Sequence, residues 1–273
     1  MAQRITRFAP SPTGPLHLGH AYAALVAASR GDRFVLRIED IDRPRCKPEF
    51  EAGIYEDLEW LGLNWFKPVM RQSDRLPAYD TAIARLYDLG LTYRCTCTRG
   101  DIRSALSAPQ EGAAVLGPDG PIYPGTCRDR AHETGAVRLN MARAVAVAGA
   151  ICFVETGENL GPKNYPAPQI IESIGDIVLA RKDIGTSYHI AVVVDDAAQG
   201  ITEVTRSADL FEATAIHVLL QRLLDLPTPA YHHHRLIRDD QGKRLAKRDD
   251  ARALSKYRAE GATPADIRRM VGL

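Results

Sequence analysis

Short strand-like apolar runs occur at Arg4 to Ala9 and at Arg33 to Ile38. Between them, Leu18 to Arg30 is rich in Ala, Leu and Val and carries no helix breaker, which predicts a β-α-β opening. Glu49 to Leu61 and Ala78 to Leu89 place apolar residues at helical spacing, and Gly90 supplies a stop signal after the second. From Ser104 to Gly125 the chain turns to Ala, Gly, Pro and Ser, too poor in periodic apolar residues for a packed element, and reads as a long loop inside an inserted segment. The β-branched run Ala191 to Val194 reads as a short buried strand, and Ile201 to Thr205 as a second. Phe211 to Leu226 is patterned as an amphipathic helix closed by Pro227, Tyr231 to Ile237 as extended chain, and the Arg/Lys-rich tail as helix. The order of elements predicts an α/β fold with a parallel sheet, interrupted by an insertion.

Composition changes this picture little. With 45% hydrophobic and 25% charged residues, the 273-residue chain has the make-up of an ordinary soluble protein. No apolar run approaches the roughly 18 residues of a membrane span. The start, MAQRITRFAP, has no apolar signal core, so a cytoplasmic protein without a membrane partner is expected. The net charge is +1, but the basic residues are unevenly placed: from Arg235 onward there are 11 Lys/Arg against 6 Asp/Glu. The five cysteines, an odd number without an export signal, argue against structural disulfides.

The densest chemical signal is Arg7-Phe8-Ala9-Pro10-Ser11-Pro12-Thr13-Gly14-Pro15-Leu16-His17-Leu18-Gly19-His20. Two prolines and a glycine end the first strand, and His17-x-Gly19-His20 falls where the next helix begins. A helix N-terminus favours anions, and two imidazoles there can donate hydrogen bonds to phosphate oxygens as negative charge builds; Gly19 would let an adenine ring approach the backbone. This stretch resembles the signature of class I glutamyl- and glutaminyl-tRNA synthetases, as does Arg37-Ile38-Glu39-Asp40-Ile41-Asp42-Arg43. Gly242-Lys243-Arg244-Leu245-Ala246-Lys247-Arg248 resembles the mobile KMSKS loop of that class, with Arg244 and Ala246 as departures and Lys247 at the second lysine.

The resemblance implies a Rossmann-like catalytic domain that activates glutamate with ATP and Mg²⁺. His17, His20 and Lys247 would carry the chemistry, and His17, Gly19, His20 and Lys247 would hold ATP. It also implies that Arg7, Phe8, Ala9, Pro10, Ser11, Glu39, Tyr188 and Arg206 form the glutamate site. An arginine can grip a carboxylate bidentately, so Arg7 and Arg206 would select an acidic side chain, with Glu39 on the α-ammonium.

Cys95-x-Cys97 and Tyr123-x₃-Cys127 form a further constellation. Three thiolates make a tetrahedral Zn²⁺ site plausible, and spacing alone favours His132 about as much as Tyr123 for the fourth ligand. The likeness to the short glutamyl-synthetase paralogues implies Tyr123 and a structural Zn²⁺ that pins the 104–125 loop. Cys46 and Cys152 read as packing or surface residues. His232-His233-His234 reads as a run pointing to alternate faces of an extended segment, not as a metal site.

Residues 1–92 and 181–273 are expected to be the two halves of the catalytic domain, the second ending in a short helical segment. Residues 93–180 are expected to be an inserted zinc-binding subdomain of the acceptor-binding type. Only 25 residues follow the basic loop, too few for an anticodon-binding domain. The paralogues of this length charge the modified base queuosine in the anticodon of tRNA-Asp, so glutamate and queuosine-modified tRNA-Asp are the expected partners, with the RNA read through unstacked loop bases and phosphates. Two other readings are a minimal glutamyl-tRNA synthetase acting on tRNA-Glu and a non-catalytic regulator that binds adenylate or amino acid.

Overall fold

The computed structural model describes residues 3–107, 116–238 and 252–273. The chain opens as expected: β1 (Ile5–Phe8), α1 (Leu18–Arg30), β2 (Arg33–Ile38), α2 (Pro48–Trp60), β3 (Phe66–Arg71) and α3 (Leu76–Asp88). β1 pairs parallel with β2, and β2 parallel with β3, so each intervening helix is a crossover. Their apolar faces meet in one cluster containing Phe8, Leu16, Leu25, Leu36, Ile54 and Leu58.

The middle of the chain comprises β4 (Thr92–Cys95), α4 (Arg99–Ser107), a small hairpin of β5 (Leu116–Gly117) and β6 (Gly120–Pro121), β7 (Ala136–Leu139), α5 (Met141–Ala148), β8 (Ile151–Glu155), β9 (Gly161–Tyr165), α6 (Ala167–Ser173) and β10 (Val178–Ala180). β10, β7 and β4 make an antiparallel sheet. β8 and β9 join a second sheet instead. The segment read as a loop from Ser104 to Gly125 thus begins within α4 and contains the hairpin. Asp101 caps the start of α4 by accepting from the Thr98 backbone at 2.7 Å, a local signal that outweighs the weak apolar pattern.

The chain then forms α7 (Tyr188–Ala198), β11 (Glu203–Ser207), α8 (Thr214–Leu223), β12 (Ala230–His234), α9 (Leu254–Ala259) and α10 (Pro264–Met270). Ala191 to Val194 is therefore helix, not strand. A short β-branched run cannot be told from a buried helical turn by period, and here Ile190, Ala191, Val192 and Val193 are all buried in the main core. β11, β12 and β8 run parallel, with β9 antiparallel at the edge. β1 lies against β11, where the Thr202 backbone donates to the Ile5 carbonyl at 3.0 Å, so the two parallel sheets adjoin. The carboxyl ends of β1, β2 and β11 bring Arg7, Glu39 and Arg206 into one region, the usual ligand side of an open parallel sheet.

Candidate active site

The H-x-G-H motif folds as a helix cap. His17 is the N-cap of α1; its Nδ1 accepts from the Gly19 backbone at 3.1 Å, and His20 Nδ1 accepts from the His17 backbone at 3.1 Å. With Nδ1 of each ring an acceptor, a neutral ring carries its proton on Nε2, which fixes the donor atom of both imidazoles. The rings lie 3.8 Å apart between centroids. Gly19 has a reason inside the chain as well: a Cβ there would stand 3.0 Å from His17 Cε1, so a side chain would crowd the capping ring.

Lys247 and the whole 242–248 stretch lie outside the described residues. Its flanks are anchored beside the cap. Ile237 and Leu254 pack with Leu16 in one cluster, the Leu254 backbone donates to the Leu16 carbonyl at 2.8 Å, and Ala253 bridges to His17.

A cavity of about 340 Å³ opens near the end of β2. Ser11, Glu39, Gln72, Asp119, Arg181, Thr186, Ser187, Tyr188 and His189 are among its lining residues. Ser11, Glu39 and Tyr188 were legible in the sequence. Phe8 and Pro10 are buried supports, and the Pro10 carbonyl accepts from the Glu39 backbone at 3.0 Å, which fixes that carboxylate; Ala9 is half-buried between them. Asp119, Thr186 and Ser187 were missed. The Thr186 and Ser187 hydroxyls are buried without a hydrogen-bond partner among the described residues, an expensive state unless a bound molecule satisfies them. No motif announces them, since only the fold brings them to the cavity.

Arg7 and Arg206 do not line the cavity; they stand behind it in different surroundings. Arg7 donates to Asp196 at 3.1 Å and to the Thr205 carbonyl at 3.0 Å, while Arg37 donates to the same Asp196 at 2.7 Å and to Glu39 at 3.2 Å. Burial opposes the charge on Asp196, but Arg7 and Arg37 outweigh it and hold its pKa below the usual carboxylate range. Burial has the upper hand at Glu39, whose pKa is raised despite Arg37 and Arg7. Among the described residues Arg206 instead has only neutral hydrogen-bond partners: His233 Nε2 at 3.1 Å, His217 Nδ1 at 2.8 Å and Thr214 Oγ1 at 2.7 Å. Burial first, then the Arg206 charge, pushes the His217 pKa well below its usual value and that of His233 down to about 4, so both rings are neutral near pH 7. The positive charges of Arg206 and Arg7 are felt at the phenol of Tyr188, whose pKa burial nonetheless raises.

The thiols converge. One Sγ from each of Cys95, Cys97 and Cys127 lies within 4.8 Å of the others, and the Tyr123 hydroxyl is 3.4 Å from both Cys95 and Cys97. Burial works against ionisation of Cys127, yet hydrogen bonds from Tyr123, the Thr96 backbone, Cys97 and His132 bring its thiol down to about 6, while burial pushes Cys97 up. Three convergent sulfurs and a phenol oxygen fit a tetrahedral Zn²⁺, whereas His132 hydrogen-bonds Cys127 and stands outside the convergent group. Cys46 is half-buried, Cys152 is exposed, and the histidine run forms no such group among the described residues. β12 is hydrogen-bonded on both sides, so His233 and His234 are both buried and His232 half-buried.

A family model for the catalytic domain of class I tRNA synthetases (E and Q) matches residues 4–273. The chain belongs to that family. It is a ligase by that membership, which implies ATP as a substrate. A Rhodobacter capsulatus relative named glutamyl-Q tRNA(Asp) synthetase is 62% identical, covering 98% of this chain and 100% of the relative. The Nocardia farcinica protein of the same name is 42% identical over 96% of this chain and 81% of its own length. Among solved structures, a glutamate-tRNA synthetase from Elizabethkingia anophelis superposes with a TM-score of 0.76 at 26% identity, covering 100% of this chain and 61% of that one. This class I synthetase chain therefore spans about three fifths of the solved glutamate enzyme. A Mycobacterium tuberculosis methionyl-tRNA synthetase, at TM-score 0.65 and 11% identity, shares the fold. No helix among the described residues is long and apolar enough to cross a membrane.

Proposed function

We infer that this protein activates L-glutamate with ATP and transfers it to the queuosine base in the anticodon of tRNA-Asp. The observation that carries this reading is the 62% identity, end to end, with a relative named for that reaction. The cavity agrees with it, because Glu39 lines it and Arg206 stands buried behind it with no direct carboxylate partner among the described residues.

In the first step an oxygen of the glutamate α-carboxylate attacks the α-phosphorus of ATP, the bond to the bridging oxygen breaks, and pyrophosphate leaves. His17 and His20 donate from Nε2 to the phosphate oxygens, Lys247 adds charge, and Gly19 keeps the helix start open to the nucleotide. Mg²⁺ bound with ATP would neutralise phosphate charge. Glu39 receives the α-ammonium, and Arg206, with Arg7 behind it, draws the side-chain carboxylate past Ser11 and Tyr188. In the second step a hydroxyl of the queuosine cyclopentenediol attacks the adenylate carbonyl, loses its proton to solvent, and displaces AMP. Catalysis is positioning and electrostatics throughout.

Cys95, Cys97, Cys127 and Tyr123 would hold a structural Zn²⁺ that ties the end of β4 to the chain around Tyr123 and Cys127 within the inserted segment 93–180, flanked by the catalytic halves 1–92 and 181–273. A cytoplasmic location follows from the reading, since its RNA substrate is there.

The test supplies ATP and labelled glutamate with queuosine-containing tRNA-Asp, the same tRNA lacking queuosine, and tRNA-Glu. Label confined to the modified tRNA-Asp, and surviving removal of the 3′ nucleoside, is the expected result. Label on tRNA-Glu would make the protein a minimal glutamyl-tRNA synthetase instead.

A further inference from the structure

Asp119 sits at the turn between β5 and β6 and belongs to no motif of the sequence, yet its carboxylate reaches into the cavity and accepts from His189 Nε2 at 2.7 Å. His189 Nδ1 lies 3.0 Å from His217 Nε2, and His217 Nδ1 lies 2.8 Å from Arg206 Nη1. These contacts allow one proton arrangement. Arg206 can only donate, so His217 Nδ1 is the acceptor and the His217 proton is on Nε2. That proton points at His189 Nδ1, which must be bare, so His189 carries its own proton on Nε2, directed at Asp119. A one-way chain of donors thus runs from the buried guanidinium through two neutral imidazoles to a carboxylate. On its other side, Arg206 donates to His233, which donates to Glu155 at 2.5 Å, with Glu155 also held by the backbones of Gly157 and His233. The hairpin is docked closely: a Cβ on Gly117 would stand 2.7 Å from the Ser173 carbonyl, and one on Gly175 would stand 2.5 Å from Ile122.

We propose that Asp119 is a positioning residue for amino-acid binding: through His189 and His217 it fixes the orientation of Arg206, so the hairpin of the middle segment sets the affinity of the cavity for glutamate. This rests on the functional reading above. Among the described residues Arg206 has no direct carboxylate partner, which leaves its charge for a substrate, but a guanidinium without a bidentate partner must be aimed by other means. The two relays aim it without neutralising it. Asp119 is half exposed and borne by a two-residue turn, whereas Glu155 is fully buried, so the Asp119 arm is the one that hairpin docking can set.

The experiment uses the full chain and its Asp119→Ala and Asp119→Asn variants, read by glutamate-dependent ATP–pyrophosphate exchange and by long-range ¹H–¹⁵N spectra of the imidazoles. In the unaltered protein both His189 and His217 are expected as Nε2–H tautomers. In Asp119→Ala the KM for glutamate should rise about tenfold, the effect of one lost charge-assisted hydrogen bond, while the KM for ATP stays within about twofold. In that variant His189 should keep the Nε2–H tautomer imposed through His217, while its Nε2 resonance shifts as the bond to Asp119 is lost. Asp119→Asn keeps an acceptor oxygen and should recover most of the affinity, a rescue that a role in hairpin folding alone would not produce. An unchanged glutamate KM in Asp119→Ala, or an Nδ1–H tautomer of His189 in the unaltered chain, overturns the proposal. If the unaltered chain shows no glutamate-dependent exchange, the functional reading fails and takes the affinity claim with it, while the tautomers still decide whether the relay exists.

Discussion

Arg7 and Arg206 come from two strands, β1 and β11, that lie side by side, and both are buried, yet one is committed and the other is not. Arg7 shares Asp196 with Arg37 in a direct ion cluster that includes Glu39. Arg206 touches two imidazoles and a hydroxyl, and among the described residues carboxylates stand only at the far ends of its relays. The difference separates two uses of a buried cation. A guanidinium paired directly to a carboxylate holds the sheets together; one supported by neutral groups keeps its attraction for an anion that arrives from outside.

The comparison breaks if Asp196 proves dispensable. Removing it in Asp196→Ala leaves Arg7 and Arg37 buried without their shared partner and should cost about 3–5 kcal/mol of stability, visible as a large fall in thermal midpoint or in soluble yield. Arg206→Gln should do the opposite: stability should change modestly, while kcat/KM for glutamate falls at least about a hundredfold, the loss of a charge-assisted bidentate grip. Equal destabilisation by both substitutions would erase the distinction.

A smaller effect comes from pH. His217, His232, His233 and His234 all have depressed folded pKa values, so the unfolded chain binds more protons than the folded one just below pH 6.5. Their stability is present above that pH and is lost as pH falls through the window toward the folded values, by up to about 1.4 kcal/mol per pH unit for each ring. Glu39 and Asp57, with raised pKa values, act in the opposite sense, but they are two against four. The thermal midpoint should therefore drop between pH 7 and pH 5, and less steeply in His217→Gln. The smallest effect expected on the amino-acid site comes from the thiol cluster. Cys127→Ser should abolish Zn²⁺ uptake measured by metal analysis and raise the KM for glutamate by no more than about threefold, because the cluster supports the stretch that carries Asp119 but contributes no relay residue.

What the sequence made legible follows the same division between local and assembled features. The strand, turn and helix at Arg7 to Arg30 are contiguous, so period, proline stops and the H-x-G-H motif all fall within one short window. The thiols could be grouped because cysteine is rare and its spacing is distinctive. The Ala191 to Val194 run was misread because four β-branched or small apolar residues satisfy a buried helix turn as well as a strand. The relay could not be read at all: Asp119, Glu155, His189, His217 and His233 come from five separate elements, and each is an ordinary polar residue until the fold sets it 2.5–3.1 Å from the next. Thr186 and Ser187 were hidden for the same reason, since a hydroxyl's lack of a partner is a property of packing, not of sequence.

The most direct test of the account is amino-acid-dependent ATP–pyrophosphate exchange by the unaltered protein, with glutamate beside glutamine. A buried guanidinium held by neutral groups should pass glutamate and reject the amide, so exchange with glutamate alone is the predicted result. Equal exchange with glutamine, or none with glutamate, would contradict it.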